Sequence, residues 1–210
     1  METSSATLFV VDDESAARAS TAAIGSSLGL NCETFSSAEE FLARFDPARP
    51  GCLVIDLNLG GMDGLALHER LSTLGSLLPV IFVGRRVTVA MAVRAMQNGA
   101  ITVIEKPCMG GALEKAILSA IEIDRKVQIG RSRQADLKAR FEKLAPRERK
   151  AMALIMAGQP NKSIARELGV SLRTVDRIRA EIYRKLDAAS PMDLARMAVD
   201  AGTDAAANDA

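Results

Sequence analysis

Tryptophan is absent from the 210 residues, histidine and tyrosine occur once each, and cysteine only three times. A lone His68 excludes any site built on a histidine cluster. Cys32, Cys52 and Cys108 are odd in number, scattered and without metal-ligand spacing, so reduced cytoplasmic thiols are expected. No window approaches the ~18 consecutive apolar residues of a transmembrane helix. Met1-Glu2-Thr3-Ser4-Ser5 lacks the basic region and apolar run of a secretory signal. A cytoplasmic protein without a membrane partner is therefore expected. With 48% hydrophobic and 25% charged side chains the chain is too apolar to be disordered. Its length suits one large domain or two small ones.

The net charge of +1 conceals an asymmetry. Residues 1–123 carry 14 acidic against 9 basic side chains, and residues 124–210 carry 12 against 18. Taken alone, this split fits a chance division of solvated charges as well as a basic half that meets nucleic acid.

Short apolar runs rich in Val and Ile occur at residues 7–11, 32–35, 52–55, 80–83 and 101–104, bounded by Gly, Pro or Asp. They read as buried parallel strands. Helical patterns lie between them at 15–28 (Ala17, Ile24 and Leu28 on one face), after a Ser36-Ser37-Ala38-Glu39 capping box, and at 65–74, 88–97 and 112–123. Five βα units in 1–123 predict a doubly wound, flavodoxin-like five-stranded parallel sheet, an α/β domain. Residues 124–143 are charged and read as a helical connector, with a flexible tether as the alternative. Four short helices over 144–201 predict an all-α helix-turn-helix domain. Pro146 sits in a first turn, Asn161 and Ser171 are expected caps, Gly169 is a break, and Ser190-Pro191 is an opening. Residues 202–210 are expected to fray.

Ligand sites of open α/β sheets lie beyond the carboxyl ends of the strands. Asp12 and Asp13 follow the first strand, Asp56 the third, and Lys106-Pro107 the fifth. Carboxylates crowded together repel one another and have reason to hold a hard cation such as Mg2+. The cation and the lysine would neutralise an incoming phosphoryl group and leave a carboxylate free to attack it. Val10-Val11-Asp12-Asp13-Glu14, Leu53-Val54-Ile55-Asp56, Gly61-Met62-Asp63-Gly64 and Ile104-Glu105-Lys106-Pro107 resemble the receiver domain of bacterial two-component response regulators. The resemblance spans residues 8–123. It implies that Asp56 accepts the phosphoryl group from a partner histidine kinase. Asp12, Asp13, Asp56 and the Asn58 carbonyl would hold Mg2+, Lys106 would pair with phosphoryl oxygens, and the bond before Pro107 would be cis.

The resemblance breaks at three places. Gly84 stands where the family has a hydroxyl residue that contacts the phosphate, Val103 where it has a mobile ring, and Gly60 where it has proline. Two substitutes for the hydroxyl are open: backbone N–H groups of Gly84-Arg85-Arg86, or the guanidinium of Arg85 or Arg86.

In the basic half, Ile164, Ala165 and Leu168 face a core, and Gly169 permits a turn before a helix capped by Ser171. Along that helix Val175, Ile178, Ile182 and Leu186 share one face, and Arg173, Arg177, Ala180 and Arg184 another. One buried stripe and one arginine stripe suit a major-groove reader. The runs Asn161-Lys162-Ser163-Ile164-Ala165, Gly169-Val170-Ser171, Arg173-Thr174-Val175 and Lys185-Leu186 are similar to the LuxR-type helix-turn-helix of FixJ-like regulators. The similarity implies that Asp176, Arg177 and Ala180 face base edges, while Lys162, Arg173, Thr174 and Arg184 contact phosphates. Ala145 replaces a hydroxyl cap and Ile178 a common histidine.

The leading expectation is a DNA-binding response regulator, homodimeric on phosphorylation or on double-stranded DNA. A rival is a Mg2+-dependent phosphohydrolase with Asp56 as nucleophile. It lacks the general acid that haloacid-dehalogenase phosphatases place two residues on, where this chain has Asn58. A third reading keeps DNA binding but frees it from phosphate, as Gly84 and Val103 suggest.

Overall fold

Alternation along β1 (Thr7–Val11) sets the architecture of the first half, because successive side chains of a strand point to opposite faces. Phe9 and Val11 join one buried cluster and Leu8 and Val10 another. In the computed structural model, which describes residues 6–108 and 111–202, the chain continues through α1 (Ser15–Ser27), β2 (Asn31–Phe35), α2 (Ala38–Arg44), β3 (Gly51–Asp56), α3 (Gly64–Thr73), β4 (Val80–Gly84), α4 (Val89–Gln97), β5 (Thr102–Glu105) and α5 (Ala112–Glu142). The first five residues, and the fraying expected beyond Gly202, lie outside the described residues. The strands form one parallel sheet in the order β2-β1-β3-β4-β5. Phe41, Leu65, Leu67, Leu71 and Ala95 bring α2, α3 and α4 against one face. Leu113, Ala116, Ile117 and Ala120 of α5, with Ile24 of α1 and Leu28 just past its end, cover the other. Each large side chain so enclosed contributes roughly 1.5–3 kcal/mol.

All five strands read as buried, but β2 and β5 are only partly covered. They are the sheet edges, a consequence of strand order that no local pattern carries. α1 approaches closest through Thr21 and Gly25 rather than Ala17. A Cβ on Gly25 would lie 2.4 Å from Leu8 and 2.6 Å from the Cys32 sulfur. The capping box is shifted by one residue from expectation. Ser37 accepts the N–H of Glu40, and the Glu40 carboxylate accepts the N–H of Ser36.

Residues 124–142 continue α5 as helix and do not form a tether. Asp124, at the start of the charged connector, is buried. Its carboxylate accepts the Gly51 N–H at 2.9 Å and the Gln128 amide at 3.0 Å, pinning α5 to the start of β3. Burial, aided by the Asp124 charge, pushes the Cys52 thiol up to about 12. All three cysteines are free.

His68 is buried against Phe82, their ring centroids 5.5 Å apart, and its Nδ1 has no partner. Burial lowers its pKa, with Glu69 opposing. The folded state therefore binds this proton less readily than the unfolded chain. Its stabilising contribution is full above pH ~6.5 and declines as pH falls from there toward the lowered folded value. His68→Leu should flatten the fall in thermal midpoint between pH 7 and pH 5; an unchanged slope would clear His68 of that role.

The chain divides by packing into residues 1–128 and 129–210. In the second unit the last turns of α5 supply Leu137 and Phe141 to a core with α6 (Pro146–Met156), α7 (Asn161–Leu168), α8 (Leu172–Leu186) and α9 (Pro191–Asp200). Ile164, Ile182, Leu186 and Leu194 are fully enclosed there. Ala145 offers no side-chain cap to α6, but the Glu148 carboxylate takes its N–H at 2.7 Å. Ser171 and Ser190 cap α8 and α9 as expected, and Gly169 adopts φ +63° to end α7. Asn161 is not a cap. Pro160 holds that position, and Asn161 is the first helical residue. No helix among the described residues is long and apolar enough to cross a membrane.

Candidate metal centre and nucleic-acid interface

The chain leaves β1 for one side of the sheet and returns as β3 on the other, so the ends of these two strands flank a topological switch point. Asp12 and Asp13 follow β1, and Asp56 ends β3 beside them. Carboxylate oxygens of all three lie within 4.8 Å of one another, a spacing from which one hard cation can draw a ligand from each. Asp12 and Asp56 are buried and Asp13 is exposed. Lys106 arrives from β5 and places Nζ 2.6 Å from both Asp12 Oδ2 and Asp56 Oδ2. Burial works against its ammonium, but the hydrogen bonds and charges of Asp12 and Asp56 outweigh that and hold its pKa above the ordinary lysine value. The Lys106–Pro107 bond is cis.

The β3–α3 loop is tied to this cluster. Asn58 donates its N–H to Asp56 Oδ1 at 2.9 Å, and Gly60 donates to Asp13 at 3.3 Å. Glu39 of α2 accepts the Met62 N–H at 3.1 Å, and such backbone hydrogen bonds hold its carboxyl below the usual range. Gly64 is required by close approach, since a Cβ there would meet the Asp56 carbonyl oxygen at 2.3 Å. The sequence offers Asn58 as a carbonyl ligand, Gly60 as a departure and Gly64 within a motif, but none of these contacts has a local signal.

Gly84 is buried at the end of β4, and a Cβ there would come within 3.2 Å of the Leu57 side chain. Leu57 thus fills the space in which a side chain at 84 would begin. Val103 packs with Val87 and Met91 against the core beneath α4. Arg85 is exposed, and its guanidinium donates to the Glu14 carboxylate, 71 positions earlier in the chain. Arg85 is a candidate legible in the sequence, whereas nothing local signals Glu14.

On α8 the structure leaves Arg173, Asp176, Arg177, Ala180 and Arg184 exposed, opposite buried Val175, Ile182 and Leu186. Thr174 is half-buried, its hydroxyl 2.9 Å from that of Ser171. Lys162 is exposed on α7. Arg184 is held by Glu181 through hydrogen bonds that raise its pKa, so a phosphate must compete for it. Asn161 donates to Asp176 at 2.9 Å and accepts from Arg179 at 3.3 Å. It fastens α7 to α8 and orients Asp176. Arg179 in turn lies 5.5 Å from the Tyr183 ring centroid.

A family model for the response regulator receiver domain matches residues 8–118, and one for bacterial regulatory proteins of the luxR family matches residues 142–198. Nodulation protein W of Bradyrhizobium diazoefficiens is 38% identical over 200 residues, spanning 95% of this chain and 88% of its own. Transcriptional regulatory protein FixJ of Rhizobium meliloti is 38% identical over 196 residues, spanning 93% and 96%. The solved response regulator StyR aligns with a TM-score of 0.82 at 34% identity, covering 93% of this chain and 98% of that one.

Proposed function

The chain belongs to the two-component response regulators that join a receiver domain to a LuxR-type DNA-binding domain, and on that premise we propose that phosphorylation of Asp56 by a partner histidine kinase controls its dimerisation and promoter binding. The observation that carries this reading is the single ammonium of Lys106 shared by Asp12 and Asp56 at 2.6 Å each, at the switch point of the sheet. An Asp56 oxygen attacks phosphorus, the bond from phosphorus to the donor imidazole nitrogen breaks, and the imidazole leaves with the electron pair. Lys106 balances the charge of the phosphoryl oxygens delivered to Asp56. Asp12, Asp13, Asp56 and the Asn58 carbonyl would hold Mg2+, which supplies further positive charge to those oxygens when bound. A phosphohydrolase reading is weaker. Its second acid is missing at Asn58, whose N–H is already directed at Asp56.

In the second unit, Lys162, Arg173, Thr174 and Arg184 are assigned to phosphates, and Asp176, Arg177 and Ala180 to base edges. The exposed arginine stripe on α8 supports this division. A second reading, in which DNA binding does not depend on phosphate, draws on Gly84 and Val103, which offer neither hydroxyl nor ring. Acetyl phosphate with Mg2+ should add one acid-stable, base-labile phosphate per chain, visible by phosphate-affinity electrophoresis and abolished by EDTA. The product should dimerise and bind operator DNA more tightly. Uptake without any change in binding would favour the phosphate-independent reading, and no uptake at all would overturn the proposal.

A further inference from the structure

Strand order gives the Arg85–Glu14 ion pair its significance. Glu14 follows the end of β1 and Arg85 the end of β4, and β3 lies between those strands. A contact between the two residues therefore spans the end of β3, where Asp56 sits. Both line a cavity of about 560 Å3 that also takes in Lys106, and it is Lys106, 2.6 Å from Asp56, that joins this cavity to the carboxylate cluster. The arginine side chain is 67% exposed and the glutamate 42%, so the pair is wet, held loosely and free to exchange. A phosphoryl dianion offers a guanidinium more charge and more acceptor oxygens than one carboxylate does. Gly84, immediately before Arg85, brings no hydroxyl to this rim, and a side chain there would press on Leu57.

We propose that Arg85 binds the phosphoryl group alongside Lys106, tethered by Glu14 before reaction and exchanging that carboxylate for the phosphoryl oxygens on Asp56 afterwards. The proposal rests on Asp56 being the acceptor. It assigns the missing hydroxyl's task to a residue one position along, and the freed Glu14 becomes a change on the surface that phosphorylation produces. The contact requires the guanidinium's several donors, so a point charge at 85 replaces it only in part.

Equilibrium binding of fluoroberyllate, a non-hydrolysable phosphoryl mimic, to the full-length chain in Mg2+ separates the possibilities by calorimetry and 19F NMR. Arg85→Ala should weaken binding about ten-fold or more, and Arg85→Lys by less. Glu14→Gln should tighten it about two- to three-fold, because the arginine no longer has to leave a carboxylate. Glu14→Gln combined with Arg85→Ala should match Arg85→Ala alone. An ion pair that merely braced the loops would make both single substitutions weaken binding, and that result, or no effect of Arg85→Ala, would overturn the proposal while leaving the acceptor role intact. Fluoroberyllate binding that persists undiminished in Asp56→Asn would instead remove Asp56 as the acceptor, and the proposal with it.

Discussion

Asp56→Asn should take up no phosphate from acetyl phosphate under conditions that label the wild type fully, and it should remain folded. Asparagine keeps an oxygen to accept the Asn58 N–H, which Asp56 accepts at 2.9 Å, so the β3–α3 loop keeps that support. What it loses is the anionic oxygen proposed to attack phosphorus, and no rearrangement of an amide restores it. Stability should hold because Asp12 and Asp56 share one ammonium in the wild type. Removing one carboxylate leaves Lys106 and Asp12 as a balanced pair and relieves repulsion between the acids. The thermal midpoint should be unchanged or slightly higher. Measured together, labelling and melting separate chemistry from folding. Equal labelling of both proteins would move the acceptor to another residue, with exposed Asp13 the first to test.

How much of this was legible in the sequence depends on whether the information is local. The strands were placed to within about a residue because short Val- and Ile-rich runs between turn residues report burial on both faces. The exposure of β2 and β5 was not legible, since it follows from their position at the sheet edges. Ser171 could be recognised as a cap because its hydroxyl meets an N–H three residues on. Asn161 has the same helix-opening chemistry but turns its amide across to Asp176 and Arg179, fifteen and eighteen residues away. Pro160 had already taken the capping position. The burial of Asp124 is hidden for the same reason. Its neighbours Arg125 and Lys126 are exposed, but its own partner is the Gly51 N–H at the far end of β3. The candidate site shows both cases. Its acids and lysine could be named because strand ends are readable, whereas Glu39 and Glu14 were invisible because they act on loops elsewhere in the chain.

Arg177→Ala should relax the preference for one base pair in each half-site, while Lys162→Ala should weaken binding evenly across sequences. Arg177 is exposed midway along α8, on the face opposite buried Val175 and Ile182, where a guanidinium can reach guanine O6 and N7 together. Such a pair discriminates by about 1–3 kcal/mol against the wrong base. Lys162 is exposed near the start of α7 and suits a phosphate, a contact that positions the protein without reading sequence. Its loss should flatten the dependence of log affinity on log salt by roughly one unit per contact removed. Asp176 stands beside Arg177 and is already oriented by Asn161, so it should stay in place when the arginine is gone. A two-fold symmetric dimer repeats each effect in both half-sites. Titrating both variants on operator and scrambled duplexes at two salt concentrations distinguishes these outcomes. If Arg177→Ala lowered affinity for the two duplexes equally, the arginine would be a phosphate clamp. Base discrimination would then rest on Asp176 and the shape of the groove.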